Sequence, residues 1–90
     1  MSETLRTARI ANKYGLHARP AAEFVKAASR FRSDIFVQKD DLEVNGKSIM
    51  GMMMLAAEHG SEIRIRAAGE DAEVAVAALV QLVETGFGEK

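Results

Sequence analysis

The spacing of the hydrophobic residues changes repeatedly along this 90-residue chain, and that change limits the folds open to it. Apolar residues that alternate with polar ones predict strands, whereas those that recur every three or four residues predict amphipathic helices. The alternating segments are residues 4–10, 34–38, 42–44 and 62–68, and the helical ones follow residues 17, 48 and 71. The order is therefore βαββαβα. One-sided strands joined to amphipathic helices predict an α/β two-layer open-faced sandwich whose second sheet face stays in water.

Turn and capping residues set the expected helix ends. The only proline, Pro20, suits a first helical turn, so the first helix begins near residue 17 or 18 and runs to about residue 31. Ser48 and Asp71 are preferred N-cap residues for the other two helices, and Gly60 is a natural end for the second. The expected buried stripe of the first helix consists of Ala18, Ala21, Ala22, Val25 and Ala28.

Length and composition exclude several classes of protein. Ninety residues form one domain, with residues 1–3 and 86–90 expected to be loose termini. The net charge of −1 lacks the basic excess of a nucleic-acid binder, and the absence of cysteine excludes disulfides and thiolate metal sites. No apolar run is long enough to span a membrane, and the first ten residues lack the apolar core of a signal peptide. We therefore expect a cytoplasmic protein with its reactive group at the surface.

His17 lies where a glycine-containing loop enters the first helix. The free N–H groups and the dipole of a helix N-terminus attract anions, so a phosphate on His17 can be held by the amides of Ala18 and Arg19. The guanidinium of Arg19 adds a permanent positive charge, and imidazole is a competent nucleophile near neutral pH. The alternative is that His17 only caps the helix while Arg19 is a solvated charge. No second histidine lies at metal-ligand spacing from His59, so we expect neither a metal nor a cofactor.

A second candidate site surrounds Ser48, where a phosphate would also lie at a helix N-terminus. Four of the residues at positions 50–54 are methionines, and successive helical residues point in different directions, so not all of them can be buried. Ile49, Met50 and Met53 are expected to form an exposed apolar patch suited to adaptable binding. The alternative is that the methionines fill an irregular core.

Two motifs in this chain resemble the signatures of one family. Gly-Leu-His-Ala-Arg-Pro-Ala-Ala at residues 15–22 resembles the phosphorylation site of HPr, the histidine-containing phosphocarrier of the bacterial phosphoenolpyruvate-dependent sugar phosphotransferase system. Asn-Gly-Lys-Ser-Ile-Met-Gly at residues 45–51 resembles the segment around that family's regulatory serine. The resemblance implies a four-stranded antiparallel sheet in the order 1-4-2-3 with three helices on one face.

The resemblance also implies roles for single residues. His17 would accept a phosphoryl group on Nδ1 from enzyme I and pass it to enzyme IIA domains, assisted by Arg19 and the amide of Ala18. HPr kinase/phosphorylase would phosphorylate Ser48 and weaken that transfer, and the patch of Ile49, Met50 and Met53 would dock the partners of a monomeric carrier. Two alternatives stay open: a carrier of the nitrogen-related phosphotransferase chain, and a mainly regulatory protein that acts through Ser48.

Overall fold

The computed structural model describes residues 2–89 and contains the expected βαββαβα order. The sheet order is β1-β4-β2-β3 with every neighbouring pair antiparallel, which confirms the fold class. The elements are β1 (Ser2–Arg9), α1 (Ala18–Ala28), β2 (Asp34–Lys39), β3 (Leu42–Asn45), α2 (Ile49–Met54), β4 (Glu62–Gly69), α3 (Ala72–Glu84) and a short 3-10 turn (Gly86–Gly88).

The core lies between one sheet face and the helices. Alternate residues of the strands point into it, because successive side chains in a strand face opposite sides of the sheet. The sheet contributes Ala8, Ile35, Val37, Ile63, Ile65 and Ala67, all buried. The helix α3 faces them with Ala72, Ala75, Val76, Leu79, Val80 and Val83. The helical spacing of the apolar residues predicts nearly the same face, namely Ala72, Ala75, Val76, Leu79, Leu82 and Val83. The structure differs in that Val80 is also buried and Leu82 is only half-buried.

The buried face of α1 differs from the expected stripe. Ala18 is exposed, whereas Phe24, which lies outside that stripe, is fully buried together with Pro20 and Ala21. The helix is rotated because burying an aromatic ring removes far more apolar area from water than burying an alanine methyl group.

The expected ends of the first two helices are also wrong, and α1 ends at Ala28 rather than near residue 31. The helix α2 ends at Met54 rather than near Gly60, because the chain leaves helical geometry at Ala56, whose φ is +48°. The carboxylate of Asp71 does not cap α3 among the described residues. It accepts hydrogen bonds from the Ser33 hydroxyl at 2.6 Å and from the amides of Arg32 and Ser33 at 2.9 Å. These bonds, the Ser33 hydroxyl first, lower the pKa of Asp71 to about 2.

Both ends of the described chain contact the rest of the domain. Ser2 pairs with Gly69 at the start of β1. At the other end, residues 86–89 turn back over the start of α1, where Glu89 contacts His17. The chain turns back at this point because the three consecutive residues 86–88 all have positive φ angles. Met1 and Lys90, the outermost residues of the two expected loose ends, lie outside the described residues.

Candidate functional site

The loop that precedes α1 is anchored to the segment that follows α2. Leu16 N donates to Ala57 O at 2.9 Å. Gly15 has a φ of +71° and lies close to the same carbonyl oxygen. A Cβ atom at Gly15 would lie 2.3 Å from Ala57 O, so only glycine fits this approach. The loop thereby fixes the position from which His17 enters the helix.

His17 is the N-cap residue of α1, in extended geometry at φ −77° and ψ −176°. Its side chain makes no capping hydrogen bond within the described chain, so the idea that the ring itself caps α1 is wrong. The carbonyl of His17 accepts from Ala21 N at 3.0 Å. Ala21 N is therefore the first amide of α1 that donates within the helix. Pro20 has no N–H, which leaves the amides of Ala18 and Arg19 available to bind an anion.

The imidazole of His17 is held on one side and open on the other. Its Nε2 lies 3.3 Å from Glu89 Oε2, and its side chain is 42% exposed. The ring of Tyr14 approaches edge-on with its centroid 6.5 Å away, and Lys13 Nζ lies over Tyr14. Arg19 lines the same open cleft. The site therefore combines an accessible nucleophile with fixed positive charge.

Asn12 connects the loop to the C-terminal segment. Its Nδ2 donates to Gly15 O at 2.7 Å and to Glu89 Oε1 at 3.0 Å, and the residue is only 4% exposed. Neither Asn12 nor Glu89 was expected at this site. A Gly-Phe-Gly segment before Glu89 is a signal for a turn, but nothing in the sequence indicates which distant residue the turn approaches.

Ser48 lies at the start of α2. Its Oγ accepts from Gly51 N at 3.0 Å, which confirms the expected N-cap. The preceding turn is held by Asn45 Oδ1, which accepts from Lys47 N at 2.8 Å, and by Lys47 Nζ, which donates to Phe31 O at 2.8 Å. The hydroxyl proton of Ser48 is not used in the cap, because the oxygen acts there as an acceptor.

Ile49, Met50 and Met53 are exposed by 44%, 74% and 43%, and we call these three residues the α2 patch. Met52 is completely buried in the core, but Met50, Met53 and Met54 are exposed, so the alternative that the whole methionine cluster fills the core is wrong. The segment after α2 contacts the loop before His17 through the hydrogen bond from Leu16 N to Ala57 O.

The remaining histidine has a different setting. The Nδ1 atom of His59 lies 3.3 Å from the carbonyl of Asn12, and its ring is exposed. Within residues 2–89, no three His, Cys, Asp or Glu side chains are grouped closely enough to hold a metal ion. Across the same residues, no helix has the length and apolarity needed to cross a membrane.

Comparison with known proteins identifies the family. Residues 5–85 match the family model described as the PTS HPr component phosphorylation site. The phosphocarrier protein HPr of Neisseria meningitidis serogroup A is 50% identical over 80 residues, which cover 89% of this chain and 90% of that protein. The HPr-like protein Crh of Bacillus subtilis is 51% identical over 72 residues, covering 80% of this chain and 85% of Crh.

A solved structure agrees with these sequence matches. The crystal structure of HPr-C-His from Thermoanaerobacter tengcongensis has a TM-score of 0.90 and 52% identity, and the match covers 100% of this chain and 99% of that chain. The fold expected from the sequence thus agrees with the solved structure, and the family match spans both motifs at residues 15–22 and 45–51. The chain belongs to the HPr family of phosphocarrier proteins of the phosphotransferase system.

Proposed function

We propose that His17 accepts a phosphoryl group on Nδ1 from phosphorylated enzyme I and passes it to enzyme IIA domains. The observation that carries this proposal is a half-exposed imidazole at a helix N-terminus whose first amides have no side-chain cap within residues 2–89. A carrier must present one nucleophile first to a donor and then to an acceptor, so the group has to lie at the surface rather than in a closed pocket.

The chemistry follows from the charges around the ring. The amides of Ala18 and Arg19 point from the positive end of the α1 dipole, which favours a dianionic phosphoryl group bound at the adjacent ring. The guanidinium of Arg19 supplies further donors for the phosphoryl oxygens. Because the bound group stays exposed, an acceptor nucleophile can approach the phosphorus in line with the bond that breaks.

Ser48 is proposed to be the site at which HPr kinase/phosphorylase regulates this transfer. Its proton is not used in the cap, and a phosphate on Oγ would lie at the N-terminus of α2, which tolerates negative charge. The α2 patch begins at the next residue, so the new charge would enter the surface that we propose for partner docking. Apolar side chains of this kind bind well only when no uncompensated charge is buried with them.

Reconstituted transfer tests the proposal. Enzyme I and phosphoenolpyruvate should load one phosphoryl group on this protein, and an added enzyme IIA domain should remove it. His17→Ala should abolish both steps, whereas the matched control His59→Ala should retain them. Phosphoryl transfer that persists in His17→Ala, or that is absent from the wild-type protein, contradicts the proposal.

Regulation through Ser48 without phosphoryl transfer is the second candidate, favoured by the similarity to Crh. The presence of His17 in a loop adapted to present it favours the carrier. A Ser48→Asp variant separates the two, because the carrier predicts slower loading of His17. A regulatory protein instead predicts that Ser48→Asp binds a regulator while even the wild-type His17 fails to load.

A further inference from the structure

The geometry points to Glu89 as a positioning residue that holds the proton of His17 on Nε2 and so leaves Nδ1 as the nucleophile. The inference deepens the proposed function and rests on it for its effect on phosphoryl transfer. It starts from one contact, the 3.3 Å separation between His17 Nε2 and Glu89 Oε2.

The carboxylate of Glu89 is itself fixed by a second contact. Its Oε1 accepts from Asn12 Nδ2 at 3.0 Å, while the same amide nitrogen donates to Gly15 O at 2.7 Å. The side chain of Glu89 is only 20% exposed, and Asn12 is buried. Glu89 Oε1 is thus held by Asn12 while Glu89 Oε2 faces His17 Nε2, and the carboxylate is oriented by the loop that also positions His17.

The backbone before Glu89 is shaped for this contact. Gly86, Phe87 and Gly88 have φ angles of +69°, +58° and +74°, a left-handed bend that turns the chain back toward α1. Phe87 adopts this unfavourable region although it is not glycine, and its ring packs against the hydrophobic core. Packing of Phe87 therefore stabilises the bend that places Glu89 beside His17.

The tautomer follows from the donor and acceptor properties of the groups. A carboxylate oxygen 3.3 Å from Nε2 favours a proton on that nitrogen, because two facing lone pairs would repel each other at this distance. In a neutral imidazole, the other nitrogen then holds a lone pair in the plane of the ring. That nitrogen is Nδ1, the atom to which we assign the phosphoryl group.

The contact between Glu89 and His17 also stabilises the ring while it carries the phosphoryl group. The Nδ1 lone pair attacks the phosphorus of the donor, an N–P bond forms, and the donor's bond to phosphorus breaks with its electron pair returning to the donor. The proton stays on Nε2, so the phosphorylated ring carries a positive charge that the Glu89 carboxylate offsets. When the acceptor attacks, the N–P electron pair returns to Nδ1 and the ring becomes neutral again.

Glu89→Gln is the decisive variant. Asn12 Nδ2 and His17 Nε2 face different oxygens of Glu89, so a glutamine in the same conformation would place its NH₂ group against one of these two nitrogens. Glu84→Gln removes the same charge from an exposed position at the end of α3 and is the matched control. Two readouts are taken on each protein: the ¹⁵N shifts of the His17 ring where it is neutral, and the initial rate of phosphoryl loading by enzyme I.

We expect only the Nε2–H tautomer in the wild-type protein and a mixture of tautomers in Glu89→Gln. Its loading rate should fall about 10- to 100-fold, the loss that follows when a partner orienting a histidine is removed. Glu89→Asp, which keeps the carboxylate, should recover part of the rate, and Glu84→Gln should match the wild type.

A Glu89→Gln rate equal to that of the wild type, or a reduced rate with an unchanged tautomer ratio, overturns the assignment. If the wild-type protein cannot be phosphorylated at all, the proposed function fails. The tautomer ratio then still decides whether Glu89 positions the proton of His17.

Discussion

Replacing Gly15 with alanine tests how the loop before α1 positions His17. Two costs arise at this position. An L-residue at a φ of +71° loses about 1–2 kcal/mol relative to glycine. The new Cβ would also lie 2.3 Å from Ala57 O, so the backbone must move and the hydrogen bond from Leu16 is disturbed. Overpacking of this kind costs about 1–3 kcal/mol.

The two costs together give a central value of about 3.5 kcal/mol. A domain of 90 residues has a free energy of unfolding of about 5–13 kcal/mol, so the variant folds but is clearly weakened. With an m-value of about 1.5 kcal/mol per molar urea, the unfolding midpoint should fall by roughly 2 M. Phosphoryl loading of the folded variant should also slow, because the displaced loop carries His17.

Gly60→Ala is the matched control for the backbone cost alone. Gly60 has a φ of +86°, and no heavy atom of the described chain lies within 4 Å of the Cβ that it would gain. We therefore expect a loss of only about 1–2 kcal/mol, a midpoint shift of roughly 1 M, and normal loading. Equal destabilisation of the two variants would refute the reasoning about the Ala57 contact.

Three further predictions concern a core side chain, a hydrogen-bonded carboxylate and a helix N-cap. Phe24→Ala should cost about 3–5 kcal/mol in thermal or urea unfolding because the ring is fully buried, and a loss below 1 kcal/mol contradicts its place in the core. The pKa of Asp71 is lowered from 3.8 to about 2, mainly by the Ser33 hydroxyl, so its stabilisation is complete above pH 4 and is lost as the pH falls toward 2. The stability gap between wild type and Asp71→Asn should therefore close over that range, with Asp41→Asn as the control, and a gap that is equal at pH 7 and pH 2 contradicts the account. Ser48→Ala should cost about 1 kcal/mol through loss of the N-cap, and unchanged urea unfolding would show that the cap contributes nothing.

The strands were the most predictable part of the fold. In β4, alternation of Ile63, Ile65 and Ala67 with charged or small residues defines both the strand and its buried face, and all three are buried as expected. The helix faces were less predictable where alanines are frequent. In α1, alanines occur on more than one face of the helix, so their spacing does not show which face is buried. The packing of Phe24 in the core determines that face.

Long-range contacts account for what sequence reasoning missed. Asp71 fits an N-cap by its position, but Ser33 and Arg32, far away in the chain, offer its carboxylate three hydrogen bonds. Glu89 reaches His17 only after the whole sandwich has formed. The position of His17 itself was predictable, because Pro20 and the preceding glycine mark the helix start locally.

Intact mass measured after incubation with enzyme I and phosphoenolpyruvate tests the central claim most directly. The account predicts that the wild-type protein gains the mass of one phosphoryl group, that acid removes it, and that His17→Ala gains nothing while His59→Ala behaves as the wild type. A wild-type protein with unchanged mass, or a His17→Ala variant that still acquires an acid-labile phosphoryl group, would contradict the claim that His17 is the carrier.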